Sequence, residues 1–254
     1  MREVSNSNWA DVNVVFRFAI VWLLCTGCRS PHVAPPVPSG PNGVCNTDLT
    51  GALRAGDSAR VEALIARHAS VRCTEPIAGD AERVRPWTTP LELAVASGRI
   101  RLVQLVIAAG AQPGSHDTEV PAIYRAVRMG RPDLVEYLLQ SGASANSHSG
   151  NPILREAIKS GNSSIVRLLL QHGANPNKRW WSEFMPDPHF ERSPPSTDCA
   201  ITPLMEAAAR GDTELVRLLL VAGGNRDEYD CRGQTARDYA VRSNHNAVAD
   251  MFKE

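Results

Sequence analysis

Six cysteines, seven histidines and one aromatic, acidic stretch hold most of what this 254-residue chain could use for chemistry. Cys45, Cys73, Cys199 and Cys231 stand far apart, with no Cys-x-x-Cys pair among them. His189 lies between Asp187 and Cys199, with Glu191 close by. Zinc, however, wants about four ligands in a tetrahedral array, and one histidine in a proline-rich loop supplies a poor set. His68 and His172 fall at the ends of helical stretches, where a partly charged imidazole favours the dipole. No phosphate loop ending in Gly-Lys, no H-E-x-x-H and no G-x-S-x-G is present. The expectation is therefore no catalytic residue, no metal and no cofactor, and the chain is read as not an enzyme.

The elements that would position any site are repeated. The clearest copy runs from Asn151 to Asn177, and its first half reads as a short helix ended by Gly161. Its second half puts Ile165, Val166, Leu168 and Leu169 on one face of another helix, closed by Gly173. Aligned on the first glycine, copies occur at Gly56, Gly98, Gly130, Gly161 and Gly211, with Asn244 in that place in a sixth. The intervals are 42, 32, 31, 50 and 33 residues. A second glycine follows twelve residues on at Gly110, Gly142, Gly173 and Gly223, and His68 takes that place in the first copy. Four residues before each first position stand Ala52, Ala94, Ala126, Ala157, Ala207 and Ala240. Two short helices cannot bury their apolar faces alone, so such copies must stack, and a small residue there lets neighbouring helices approach to ~8 to 10 Å.

The copies resemble the ankyrin repeat over the chain from about Asn46 onward. Its T-P-L-H-x-A signature is matched by Thr89-Pro90-Leu91-Glu92-Leu93-Ala94 and Thr202-Pro203-Leu204-Met205-Glu206-Ala207, and loosely by Thr235 to Ala240. Pro121 and Pro152 replace the family's Thr, and Glu92, Tyr124, Arg155, Met205 and Asp238 replace its His. The resemblance implies an all-α solenoid of about six helix-turn-helix repeats, near 46–74, 88–113, 120–146, 151–177, 201–227 and 233–254, within a domain of 45–254. It also implies a module that offers first helices and connections to a partner protein.

Ahead of the repeats, Phe18 to Cys28 is uncharged and apolar, follows Arg17, and is too short for a membrane span of about 20 apolar residues. Residues 1–27 read as a signal peptide. Leu24-Cys25-Thr26-Gly27-Cys28 resembles a bacterial lipoprotein cleavage box, with Cys28 as the lipidated residue; an ordinary cleaved signal is the other reading. The stretch before Arg17 carries Glu3 and Asp11, and a start at Val14 or Val15 would give a compact leader. Residues 28–44 are proline-rich and form a stiff tether. Arg29 is not the Asp that holds such lipoproteins at the inner membrane, so the resemblance points to the outer membrane, facing the periplasm.

Two insertions interrupt the period, at 75–87 and 178–200. The second carries Trp180, Trp181, Phe184 and Phe190 among prolines, and reads either as a recognition loop or as a flap that buries its tryptophans on the repeats. With Arg128, Met129, Lys159, Arg210 and Tyr229 these aromatics form the expected protein-binding surface. Cys45 and Cys73 flank the first copy as Cys199 and Cys231 flank the fifth, which favours those two pairs as disulfides among three possible pairings in an exported protein.

The formal net charge of zero speaks against a nucleic-acid partner. The expected molecule is a monomeric, lipid-anchored binding module with an unknown protein partner, serving as a scaffold or as an inhibitor of a toxic effector. The competing class is an enzyme or metal-binding protein using Asp187, His189 and Glu191, which a stoichiometric metal lost on His189→Ala would mark.

Overall fold

The computed structural model describes residues 45–76, 87–114, 121–146, 153–180 and 200–253. The chain divides into compact units 1–38 and 39–254, and every described residue belongs to the second. The leader and the tether, with Cys28, lie outside the described residues.

Twelve helices form six antiparallel pairs among the described residues. The first helices are α1 (Thr47–Ala55), α3 (Pro90–Ala96), α5 (Ala122–Arg128), α7 (Ile153–Lys159), α9 (Pro203–Arg210) and α11 (Ala236–Arg242). Their partners are α2 (Ser58–Ala66), α4 (Ile100–Ala108), α6 (Pro132–Gln140), α8 (Ser163–Gln171), α10 (Thr213–Val221) and α12 (Asn246–Asp250). First helices pack on one another consecutively from α1 to α11, and second helices pack in their own layer, α2 on α4 and α6 through α12 in order. Two-residue strands β1 (Glu75–Pro76) and β2 (Trp87–Thr88) pair antiparallel, and with the isolated Trp180–Ile201 bridge they are the extended pairings among the described residues.

Most pairs are closed in the same way. The alanine column is sealed between first helices: Ala52 keeps 3% of its surface and the other five 0%. At four of the five glycine turns the next residue donates its N–H to the alanine carbonyl, as Asp57 to Ala52, Arg131 to Ala126, Asn162 to Ala157 and Asp212 to Ala207, while at Gly98 the Arg99 N–H donates to the Ser97 hydroxyl. That closure needs a left-handed residue at the turn, and Gly56 to Gly211 supply φ of 66 to 75°. His68 (φ 63°) and Asn244 (φ 61°) are the two non-glycine residues with positive φ among those described, at the two places where the repeat alignment substitutes them for glycine. In the second helices Leu102, Val103 and Val106 are fully buried while Leu105 is partly covered; α6, α8 and α10 repeat the pattern, whereas α2 buries only Val61 and α12 only Val248 and Ala249.

Where the family signature has His, acids and sulfur complete the helix caps. Glu92 accepts from the Thr88 hydroxyl at 2.9 Å and the Thr89 N–H at 3.3 Å, while Thr89 caps the Glu92 N–H. Asp238 accepts from Thr235 N–H at 2.8 Å and its hydroxyl at 2.7 Å. Both are reciprocal capping boxes. Those contacts hold the Asp238 carboxyl below its ordinary range, the Thr235 N–H being the largest cause.

Candidate functional site

Side chains that sew one repeat to the next fix the surface. Sixteen residues after the turn glycine stand Arg72, Asn146 and Asn177, and each donates to the carbonyl of the second glycine of the following repeat. Asn177 reaches Gly223 O at 3.0 Å and accepts the Asn225 N–H at 2.8 Å. Asn146 does the same with Gly173 and Asn175. Arg99 and Arg131, one residue after their turn glycines, donate to Gly56 O and Gly98 O at 2.6 and 2.9 Å.

Both insertions leave from this frame at one structural position. Glu75 and Trp180 each stand nineteen residues after their turn glycine, and each bridges to the residue ten before the next one, Thr88 or Ile201. Trp180 N–H donates to Ile201 O at 2.9 Å and Ile201 N–H to Trp180 O at 2.8 Å. The Trp180 ring is 4% exposed, and its indole N–H donates to the carboxylate of Glu206. Glu206 is itself fully buried, with Arg155 at 4.0 Å and Arg210 at 3.8 Å. Two of the expected binding residues thus make inward contacts, and for Trp180 this is the flap arrangement. Trp180 is core, because an indole with a buried acceptor below it loses nothing by leaving water. Arg210 turns inward to Glu206 and is only partly exposed.

The other expected binding positions divide cleanly. Arg128, Lys159, Met129 (40% exposed) and Tyr229 (64%) lie on the surface. Tyr229 is held by its backbone, whose carbonyl accepts from Arg179, itself paired with Glu228 at 3.6 Å. Trp181, Phe184, Phe190, Asp187, His189, Glu191 and Cys199 lie outside the described residues. Cys45 and Cys73 form a disulfide with Cα atoms 5.0 Å apart. Cys231 is also disulfide-bonded. No group of three or more metal-ligating side chains occurs among the described residues, and no helix there is long and apolar enough to cross a membrane.

Two residues before each turn position, the first helices present Arg54, Ala96, Arg128, Lys159, Ala209 and Arg242. All but Ala209 are exposed. Over the gap left by small Ala96 opens a cavity of about 440 Å³, lined by Ala96, Tyr124, Arg125, Arg128 and Met129. Tyr124 donates to Glu156 at 3.4 Å, and burial, then Glu156, raises its phenol above the ordinary range.

A family model for "Ankyrin repeats (3 copies)" matches residues 91–179 and 185–253. The chain belongs to the ankyrin repeat family. Among solved structures, the human ASB11 ankyrin repeat domain superposes with a TM-score of 0.61 at 22% identity, over 83% of this chain and 86% of that one. That likeness shows the shared fold. No curated protein matches the sequence. Ankyrin repeats mark the chain as a protein–protein interaction module. Asn and Arg side chains tie neighbouring repeats together, and buried Glu206 ties the longer insertion to them. Sequence reasoning missed them, although the recurrence of a long donor sixteen residues after three of the turn glycines, as Arg72, Asn146 and Asn177, was there to be read.

Proposed function

We propose that this ankyrin domain is a protein-binding module of the bacterial cell envelope, anchored in the outer membrane by a lipid on Cys28 and facing the periplasm. The observation that carries the reading is the first-helix face, where Arg128, Met129 and Lys159 stand exposed on a row of helices locked by inter-repeat hydrogen bonds. Rigid display lowers the ordering cost of association. The Cys45–Cys73 disulfide and the oxidised Cys231 support an oxidising compartment, with Cys199 as the proposed partner of Cys231. The partner engages the first-helix face and Tyr229, with Trp181, Phe184 and Phe190 in the adjoining insertion.

Photo-crosslinking in cells tests the surface, using a photoreactive residue at Lys159 and, as control, at Arg217 on α10. Capture of one envelope protein from Lys159 alone is expected; equal capture from both positions would refute the assignment. Whether that protein is a resident enzyme or a toxic effector separates scaffold from inhibitor. Membrane fractionation of Cys28→Ser tests the anchor, which fails if the variant stays processed and membrane-bound.

A further inference from the structure

The cavity over Ala96 is lined by a cation, Arg125, that holds no carboxylate among the described residues. The Arg125 guanidinium makes no ion pair among the described residues, and its Nε is buried without a hydrogen-bond partner. A buried donor left unmade is costly unless something completes it. Beside it, Arg128 and Tyr124 already hold one carboxylate, that of Glu156, at 3.7 and 3.4 Å. The chemistry that suits this wall is thus present once, and Arg125 offers a second place for it. Lys159, exposed in the next repeat, also has no partner among the described residues.

We infer that the first-helix face of repeats one to four binds an acidic segment of a partner protein, with one glutamate or aspartate side chain seated over Ala96 against Arg125. This rests on the protein-binding reading above and specifies the partner's chemistry. The row Arg54, Ala96, Arg128, Lys159 contains three cations and no acid. Stacked helices repeat at ~8 to 10 Å, and an extended chain advances ~3.3 Å per residue. Carboxylates at every third residue of an extended segment therefore meet successive repeats. Ala96 supplies the room between Arg54 and Arg128 for a side chain to enter, and the thioether of Met129 gives the segment an apolar floor. A polyphosphate fits less well, because Glu156 stands within the face and the chain has no basic excess.

The probe is a fluorescein-labelled peptide with glutamate at every third position, compared with its glutamine counterpart by anisotropy against the full chain in mild detergent. The glutamate peptide is expected to bind, to weaken with salt, and to bind at least about tenfold more tightly than the glutamine peptide. Arg125→Met and Lys159→Ala should each lower its affinity by about tenfold. Lys159 is exposed, so its variant reports even if Arg125→Met unfolds. Equal binding of the two peptides, no binding of either, or unchanged affinity in both variants overturns the inference. It is overturned too if an oligothymidylate or phosphatidylglycerol vesicles bind more tightly and lose that binding in Lys159→Ala. Crosslinking at Lys159 keeps the two readings apart: capture of an envelope protein without peptide binding removes the acidic segment and leaves the module, whereas capture of no protein removes both.

Discussion

Replacing Glu206 with alanine should cost about 3 kcal/mol, most of it electrostatic. The side chain is 1% exposed and faces the guanidinium groups of Arg155 and Arg210, whose side chains keep 23% and 26% of their surface. Removing one member of a buried ion pair costs ~3 to 5 kcal/mol because the other is stranded. Here water still reaches the two arginines, which sets the loss at the lower end. The Trp180 indole N–H also loses its acceptor. For a domain of this size each kcal/mol lowers Tm by ~2 to 4 °C, so the midpoint should fall by ~6 to 12 °C. Glu206→Gln keeps an acceptor for the indole and should lose about half as much. Trp180→Phe keeps the buried ring and should lose about 1 kcal/mol. Urea unfolding at neutral pH, followed by helical circular dichroism, reads all three. An alanine variant within about 0.5 kcal/mol of the parent would show that the buried carboxylate does not hold the insertion to the repeats.

The other predictions address the frame. Ala157→Leu should destabilise by ~1 to 3 kcal/mol, since the site has no free surface and α7 would be pushed from its neighbours; an unchanged Tm would refute close stacking. His68→Gly should stabilise by about 1 kcal/mol by relieving a left-handed residue, a gain that thermal melts would detect and a loss would contradict. Asn177→Ala should cost ~1 to 2 kcal/mol and speed amide exchange in α9 to α12, because it cuts both bonds to Gly223 and Asn225. The Tyr239 phenol is buried and donates to buried Asp230 at 2.8 Å, which raises its pKa far above the unfolded value of about 10. The folded chain then keeps a proton that the unfolded chain loses. The Tyr239 contribution should be flat below about pH 9, and stability should fall above about pH 10 by up to ~1.4 kcal/mol per pH unit. Tyr239→Phe should flatten that slope, and Tyr124 accounts for a remainder of the same sign.

The helix pairs and their turns were legible because their cause is local. A glycine needed for φ > 0 and an alanine needed for close approach leave their own letters at fixed spacing, and even His68 and Asn244 were placed by that register. Which of the two readings holds for Trp180 was not legible, because an indole's burial is decided by a distant acceptor. Glu206 lies 26 residues on, and Arg155 sits in the preceding repeat. The same holds for Asn146 and Asn177, which look like ordinary turn residues until the next repeat brings Gly173 and Gly223 within reach. The first-helix cations were visible individually. Their usefulness to a partner depends on which carboxylates turn inward, as Glu92 and Glu206 do, and that is a property of packing.

The two insertions share one position because that is where the repeat can be opened most cheaply. Turn and helices are locked by bonds within each pair, whereas the crossing to the next first helix needs only a short antiparallel contact, Glu75 with Thr88 or Trp180 with Ile201. Once those feet are paired, loop length matters little, since each doubling costs only ~0.6 kcal/mol of closure entropy. Two backbone bonds and the burial of Trp180 offset more than that for the longer insertion. The content of the loop is thereby released from the demands of the fold, while its point of departure is fixed beside Arg155 and Arg210.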